Sequence, residues 1–276
     1  MAGENSINTN VGAMVALRYL NLTNAQLSKV QDRVSTGLRV IGAKDNASSF
    51  AIAQGIRGDI KGIAAVQQGL SNGRGVAAVA IAGATAVSNM LIELKAKVIE
   101  GLNPGNTSEQ QAILDADYAA LVTQVLSFIQ NAEYNGRNIL QSGSTAINVI
   151  GDIDGGAITL RAQDLEGTAF SALNAQNIAN VTAASAALTQ VNVVVNTINV
   201  ALGQLGADAR KLDFQDDFLA TIADAVEEGL GGLVDADLAK ESAKLQALQV
   251  KQQLAVQTLG IANASPQILL GLFGSR

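Results

Sequence analysis

Apolar side chains recur in alternating steps of three and four along most of the chain. The longest run is Leu188, Val191, Val195, Ile198, Leu202, Leu205, Ala209 and Leu212, resuming at Leu219, Ile222, Val226 and Leu233. A stripe sustained this long predicts a coiled-coil-like helical rod rather than a short globular helix. At 1.5 Å per residue, roughly 45 helical residues span on the order of 70 Å. A second stripe begins at Ile52 and continues through Ile56, Ile60, Ile63, Val66 and Leu70, then Val87, Leu91, Leu94, Val98 and Leu102. The segment "NPGNTSEQQ" interrupts it: Pro104-Gly105 predicts a turn, and Ser108 with Gln111 has capping-box spacing for a new helix. That helix is expected to bury Leu114, Tyr118, Leu121, Val125 and Phe128. At the front, Leu20, Leu27 and Val34 fall seven apart with Val30 between them, and Ile7, Val11 and Met14 read as an earlier turn of a similar stripe.

One stretch breaks the helical period. "AINVIGDIDGGAITLRAQDL" sets two short alternating runs around Asp-Gly-Gly, a hairpin signal, and "NGRNIL" precedes it. The expected fold class is mainly α: a long antiparallel coiled-coil-like helical rod with a small β-hairpin insertion between about residues 135 and 167. Both chain ends are then expected at the same end of the bundle.

Composition narrows the chemistry. Of 276 residues 48% are hydrophobic and only 3% aromatic, which suits narrow helices in close contact. The net charge of −6 argues against nucleic acid, because phosphate binding wants a basic stripe. With no Cys and no His, the chain lacks thiol nucleophiles, imidazole bases and the commonest zinc and copper ligands. No catalytic residue, cofactor or metal is expected. The polar start "MAGENSINTN" lacks a basic region followed by an apolar block, so export with a cleaved signal peptide is not expected.

Three local patterns imitate functional motifs. "GRGVAA" matches a dinucleotide fingerprint, but the residues before it have helical spacing and predict a loosened helix instead. "GDIDGG" resembles part of a calcium loop, but Gln163 stands where the bidentate Glu belongs, so a surface turn is expected. The uncharged run from Gly75 to Ile92 reaches the length of a membrane span, yet its Ala, Gly, Ser, Thr and Asn content predicts a buried bundle helix and no membrane insertion.

The chain ends are the informative regions. From Gln252 to Ser275 no side chain is charged, and between Asn5 and Ser28 the only charge is Arg18. Repeated amides disfavour a bilayer helix, and no basic face supports an interfacial anchor. Left exposed, such apolar residues form an aggregation-prone patch. Two uncharged amphipathic helices can cover one another and still leave surface for further copies, since two helices enclose no core. Contacts between copies that do not close into a ring build a helical filament. The residues expected to assemble are Ile7, Met14, Leu17, Leu20, Leu27 and Val34 at the front, with Leu245, Leu254, Leu259, Ile261, Ile268, Leu269, Leu272 and Phe273 at the end. Leu91, Leu94, Val98, Leu121, Val195, Ile198, Leu202 and Leu205 are expected to pack the rod.

Three ordered motifs give the chain a family resemblance. "SINTNVGAMVALRYLNLTNAQLSKVQDRVSTGLRVIGAKDNASSFAIAQGI", "AEYNGRNIL" and "LVDADLAKESAKLQALQVKQQLAVQTLGIANASPQILLGLF" resemble bacterial flagellin over nearly the whole length, and their wording is similar to its alphaproteobacterial branch. The resemblance implies a secreted structural subunit of the extracellular flagellar filament, used in motility and exported by a type III route. It implies terminal inner-layer helices at residues 1–40 and 234–276, flanking a rod domain at 41–233. Implied partners are many copies of itself, an export chaperone on the C-terminal helix, hook-junction proteins and the filament cap. One departure concerns a host-receptor epitope, where Glu93 in "LIELKAKVIE" stands at a position the family fills with Arg. The alternatives are a hook–filament junction protein, which usually diverges in the segment that here reads "STGLRVIGAKDNASSFAIA", and a flagellin-like cell-surface ligand-binding protein or adhesin. The latter needs an exposed groove or patterned aromatics in the insertion, and residues 141–175 offer only Phe170.

Overall fold

The computed structural model describes residues 9–273, with side chains placed through residue 264. Six α-helices and one hairpin follow in the order α1 (Val11–Thr36), α2 (Ala47–Gly101), α3 (Ser108–Asn131), β1 (Ile147–Ile150), β2 (Ala157–Leu160), α4 (Ser171–Asn174), α5 (Val181–Val234) and α6 (Leu238–Phe273). A π-helical turn, Glu166–Phe170, leads into α4. The chain divides into two compact units, Met1–Gly58 with Val226–Arg276, and Asp59–Ala225.

The Asp59–Ala225 unit is built on α2, α3 and α5. In α2 the buried positions Ile63, Val66, Leu70, Gly73, Ala77, Ala80, Ala84, Val87, Leu91, Leu94, Val98 and Gly101 alternate steps of three and four without a break. In α5 the same rhythm runs through Ala184, Ala187, Val191, Val194, Ile198, Ala201, Leu205, Asp208 and Leu212. Gly73 lies beside Leu212 and Gly101 beside Ala184, so these two segments run antiparallel. Helix α3 folds back along α2: the buried Gln111 amide donates to Gly101 O at 2.9 Å and Ile178 O at 2.6 Å, and Ala132 abuts Gly83. Tyr118, buried in α3, donates its hydroxyl to Leu173 O at 2.9 Å. Burial, helped by the Asp115 charge, pushes the Tyr118 phenol up to about 12.

Several sequence expectations shift by a residue here. Leu188, Val195, Leu202 and Ala209 flank the α5 seam half-buried, while the centre falls on Ala184, Ala187, Val194 and Ala201. Likewise Val122 and Ile129 join Tyr118 and Val125 in the α3 core, and Leu114, Leu121 and Phe128 sit beside it. Close helix approach admits small side chains, so Ala184, Ala187 and Ala201 are buried as deeply as Val191, Ile198 and Leu205. The α3 capping box uses Thr107 and Gln110, one residue earlier than expected, because Gln111 is committed to the buried carbonyls of Gly101 and Ile178. By length and composition alone α2, α3 and α5 could each cross a membrane; here their apolar stripes meet one another around a shared core.

The hairpin pairs Ile147 with Leu160 through Ile150 with Ala157. Its loop is held by Asp152, whose Oδ1 accepts from the Asp154 and Gly156 N–H groups at 2.9 and 2.7 Å. The carboxylate of the calcium-like motif thus serves the turn itself. The "GRGVAA" glycines lie inside continuous helix, and a side chain at Gly73 would strike Val149 while one at Gly75 would strike the Tyr134 ring. These glycines let the hairpin and the Tyr134–Arg137 turn approach α2, rather than loosening it. On the other side Asp208, buried in α5, accepts from Arg161 Nε and NH2 at 2.9 Å each and from its backbone N–H at 3.2 Å. That clasp ties the end of β2 to α5.

The other unit contains α1, the first turns of α2, the last turns of α5, and α6. Its closed core is small: Val40, Ala53 and Val234, with Leu38, Phe50, Leu230 and Leu233 packed on it.

Candidate assembly surfaces

Helices α1 and α6 pair antiparallel. The Asn10 amide donates to Ala262 O at 2.7 Å, the Gln252 amide to Asn24 Oδ1 at 2.8 Å, and Arg33 NH1 approaches Glu241 Oε1 at 3.7 Å. Covered positions on α1 are Ala13, Ala16, Leu20, Thr23, Leu27, Val30 and Val34; on α6 they are Glu241, Leu245, Leu248, Gln252, Ala255, Leu259 and Ala262. Both series alternate steps of three and four, the signature of a two-helix seam. Each helix has one such stripe.

The remaining faces are apolar as well. Met14 is 64% exposed and Ile261 70%, and Val11, Val15, Leu17, Tyr19, Leu22, Leu238, Val250, Leu254 and Val256 are exposed beside them. The assembly residues expected from sequence therefore fall into two sets. Leu20, Leu27, Val34, Leu245 and Leu259 lie in the intramolecular seam, whereas Met14, Leu17, Leu254 and Ile261 face outward. Val11 and Met14 do not continue the Leu20–Leu27–Val34 stripe; Ala13 and Ala16 do, because the close approach of α6 admits small side chains there. Ile7 lies outside the described residues, and the side chains of Ile268, Leu269, Leu272 and Phe273 lie beyond those described. Val15, Tyr19, Leu22, Val250 and Val256 were missed; a second apolar stripe, offset from the first around the same helix, is the signal that marks them.

The far end of the seam is polar. Glu241 is buried and its Oε1 takes Lys244 Nζ at 2.8 Å, while its Oε2 and the Arg33 Nε each have no hydrogen-bond partner among the described residues. Next to it the chain turns from α1 to α2. Gly37 caps α1 with φ 72°, its carbonyl accepts from the Ala236 N–H, and Arg39 and Val40 N–H donate to Val234 O. Lys29 pairs with Asp45 at 2.7 Å and holds that carboxyl below its usual range, with the Ile41 N–H helping. Asn46 Oδ1 accepts from the Ser49 N–H and caps α2. The "STGLRVIGAKDNASSFA" segment is thus a corner that joins α1, α2, α5 and α6. Among the described residues no cluster of Asp and Glu is placed to hold a metal ion.

Residues 7–145 match the bacterial flagellin N-terminal helical region, and residues 188–273 the bacterial flagellin C-terminal helical region. The chain belongs to the bacterial flagellin family. It is 36% identical to Flagellin FljO of Caulobacter vibrioides over 272 residues, which cover 98% of each chain. It is also 36% identical to a flagellin of Brucella melitensis over 282 residues, 97% of this chain and 99% of that one. Among solved structures the fold is similar to Bacillus cereus flagellin, with TM-score 0.51 and 18% identity over 55% of this chain and 88% of that one. It is also similar to a putative flagellar hook-associated protein from Vibrio parahaemolyticus, with TM-score 0.56 and 13% identity over 69% of this chain and all of that one. At such identities the structural likenesses speak for the fold alone; the full-length relatives carry the function. The chain is a flagellin, a structural, non-enzymatic subunit of the extracellular flagellar filament that polymerises with its own kind.

Proposed function

We propose that the outward apolar faces of α1 and α6 are the surfaces through which this flagellin meets its neighbours in the filament's inner layer. The observation that supports this most directly is the open α1–α6 pair, in which one stripe of each helix is covered and Met14, Leu17, Leu254 and Ile261 remain in water. Burying a large apolar side chain contributes about 1.5–3 kcal/mol before the cost of association is subtracted. Copies stacked on these faces remove that surface from water, and the flanking amides supply hydrogen bonds where charges would be costly to bury. In this reading residues 1–40 and 234–276 form the inner layer and 41–233 the rod. An export chaperone covers α6 before secretion, and hook-junction and cap proteins meet the same faces at the filament's ends. Deletion of residues 250–276 is expected to leave a helical, soluble monomer that does not elongate filament seeds. Normal elongation by the truncated chain would remove α6 from the assembly contact.

A further inference from the structure

The Asp59–Ala225 unit carries a second pair of features that its own fold does not satisfy. Between α2, the Tyr134–Arg137 turn and β1 lies an open groove of about 470 Å³. Val66, Gly69, Gly73, Val76, Tyr134 and Val149 form its apolar floor and walls, and among the described residues Arg137 is the only charged side chain lining it. Away from the groove, α5 raises an aromatic ridge on the side opposite its buried Leu212. Phe214 is 69% exposed and Phe218, one turn later, 57%. These are two of only six phenylalanines in the chain. Neither lines the groove.

We propose that the Phe214–Phe218 ridge of one copy docks in the α2–β1 groove of the next. The proposal rests on the filament reading and adds a specific contact to it. Three observations favour a second copy of this chain as the occupant. First, the subunit assembles with its own kind, so every groove faces a supply of identical ridges at high local concentration. Second, the chemistry matches: an aromatic side chain buries about 150–250 Å² in all, and more than half of that is still in water at Phe214 and Phe218. Third, charge is complementary, since Arg137 at the groove rim and Asp217 beside the ridge are both exposed and neither is bonded to another described side chain. A ridge on one part of the unit meeting a groove on another is a heterologous contact. Where such a contact does not close into a ring it builds a helical filament.

The cysteine-free sequence makes the test direct. Asn72→Cys, at the groove, and Thr221→Cys, beside the ridge, leave both phenylalanines in place. Filaments of the double variant treated with a short bis-maleimide are expected to yield a ladder of covalent multimers, while either single variant stays monomeric. Filaments without a ladder, or single variants that cross-link as well as the double, would overturn the contact. A second variant narrows the groove from a position where the fold leaves space: a Cβ added at Gly69 meets nothing within 4 Å. Gly69→Leu is expected to keep or raise thermal stability and to slow seeded elongation at least about tenfold. Unchanged elongation by this folded variant would count equally against the proposal. Failure of the unmodified chain to elongate would instead bring down the filament reading, and this contact with it.

Discussion

The two units are made from similar sequence and end in opposite conditions. In the Asp59–Ala225 unit three helices and a hairpin surround the α2 and α5 stripes, so Leu91, Leu94, Val98, Ile198 and Leu205 have no exposure that matters. In the terminal unit α1 and α6 carry the same alternation of threes and fours, but two helices can cover only one stripe each. The first unit encloses a large core within a single chain, and the second leaves one apolar face of each helix open. Apolar content alone does not decide which region is a core; the number of neighbours the fold provides does.

The contrast makes the largest stability effect fall in the closed unit. Leu94→Ala removes a fully buried side chain and is expected to cost about 2–5 kcal/mol in urea unfolding. A loss well under 1 kcal/mol would mean that this unit is not closed after all.

The Asp208 clasp comes next. Burial pushes its carboxyl up, but the Arg161 side chain and N–H, together with Lys211, outweigh that and hold it below the usual range. Asp208→Asn is expected to cost about 1–3 kcal/mol at neutral pH by leaving the Arg161 donors under-satisfied. Because the folded carboxyl is depressed, its contribution is present above the ordinary value of about 3.9. It is lost as pH falls through the lower folded value. The gap between the two proteins should therefore close on acidification. A gap that stayed constant into strong acid would show that Asp208 acts by packing alone.

How much of this was legible in the sequence follows from the same contrast. The helices, the break at Pro104-Gly105, the hairpin and the uncharged ends could be read because each rests on local spacing. The seam centres in α5 could not, because Ala184, Ala187 and Ala201 are weak hydrophobic signals and become deep only when another helix comes close. The function of Gly73 and Gly75 was equally hidden: it lies in Val149 and Tyr134, distant in sequence. For the proposed assembly surface, the sequence showed which helices are apolar but not that Leu20 and Leu27 serve the seam while Met14 and Leu17 face out. That division depends on the register of α1 against α6, fixed by pairs such as Asn24 with Gln252.

A smaller effect tests the local end of the closed unit. Thr107→Ala removes the box in which the Thr107 hydroxyl accepts from the Gln110 N–H and the Gln110 side chain accepts from the Thr107 N–H. It is expected to lower stability by about 0.5–2 kcal/mol in the same unfolding assay. Ser108→Ala, at the position the sequence suggested, should be near neutral.

The smallest effect on the monomer is the most discriminating. Met14 is 64% exposed, so Met14→Asp should change the monomer's unfolding free energy by no more than about 0.5 kcal/mol. If the outward face of α1 is buried between copies, the same carboxylate must be desolvated without a partner, and seeded elongation should stop. Leu27→Asp would stop it too, but ambiguously, because Leu27 is buried in the α1–α6 seam and its loss disturbs the pair itself. Only a residue that does nothing for the isolated chain can separate folding from assembly. Elongation of Met14→Asp at the unmodified rate, measured on preformed seeds by light scattering, would place this face in solvent within the filament and leave the terminal unit's open side without a purpose.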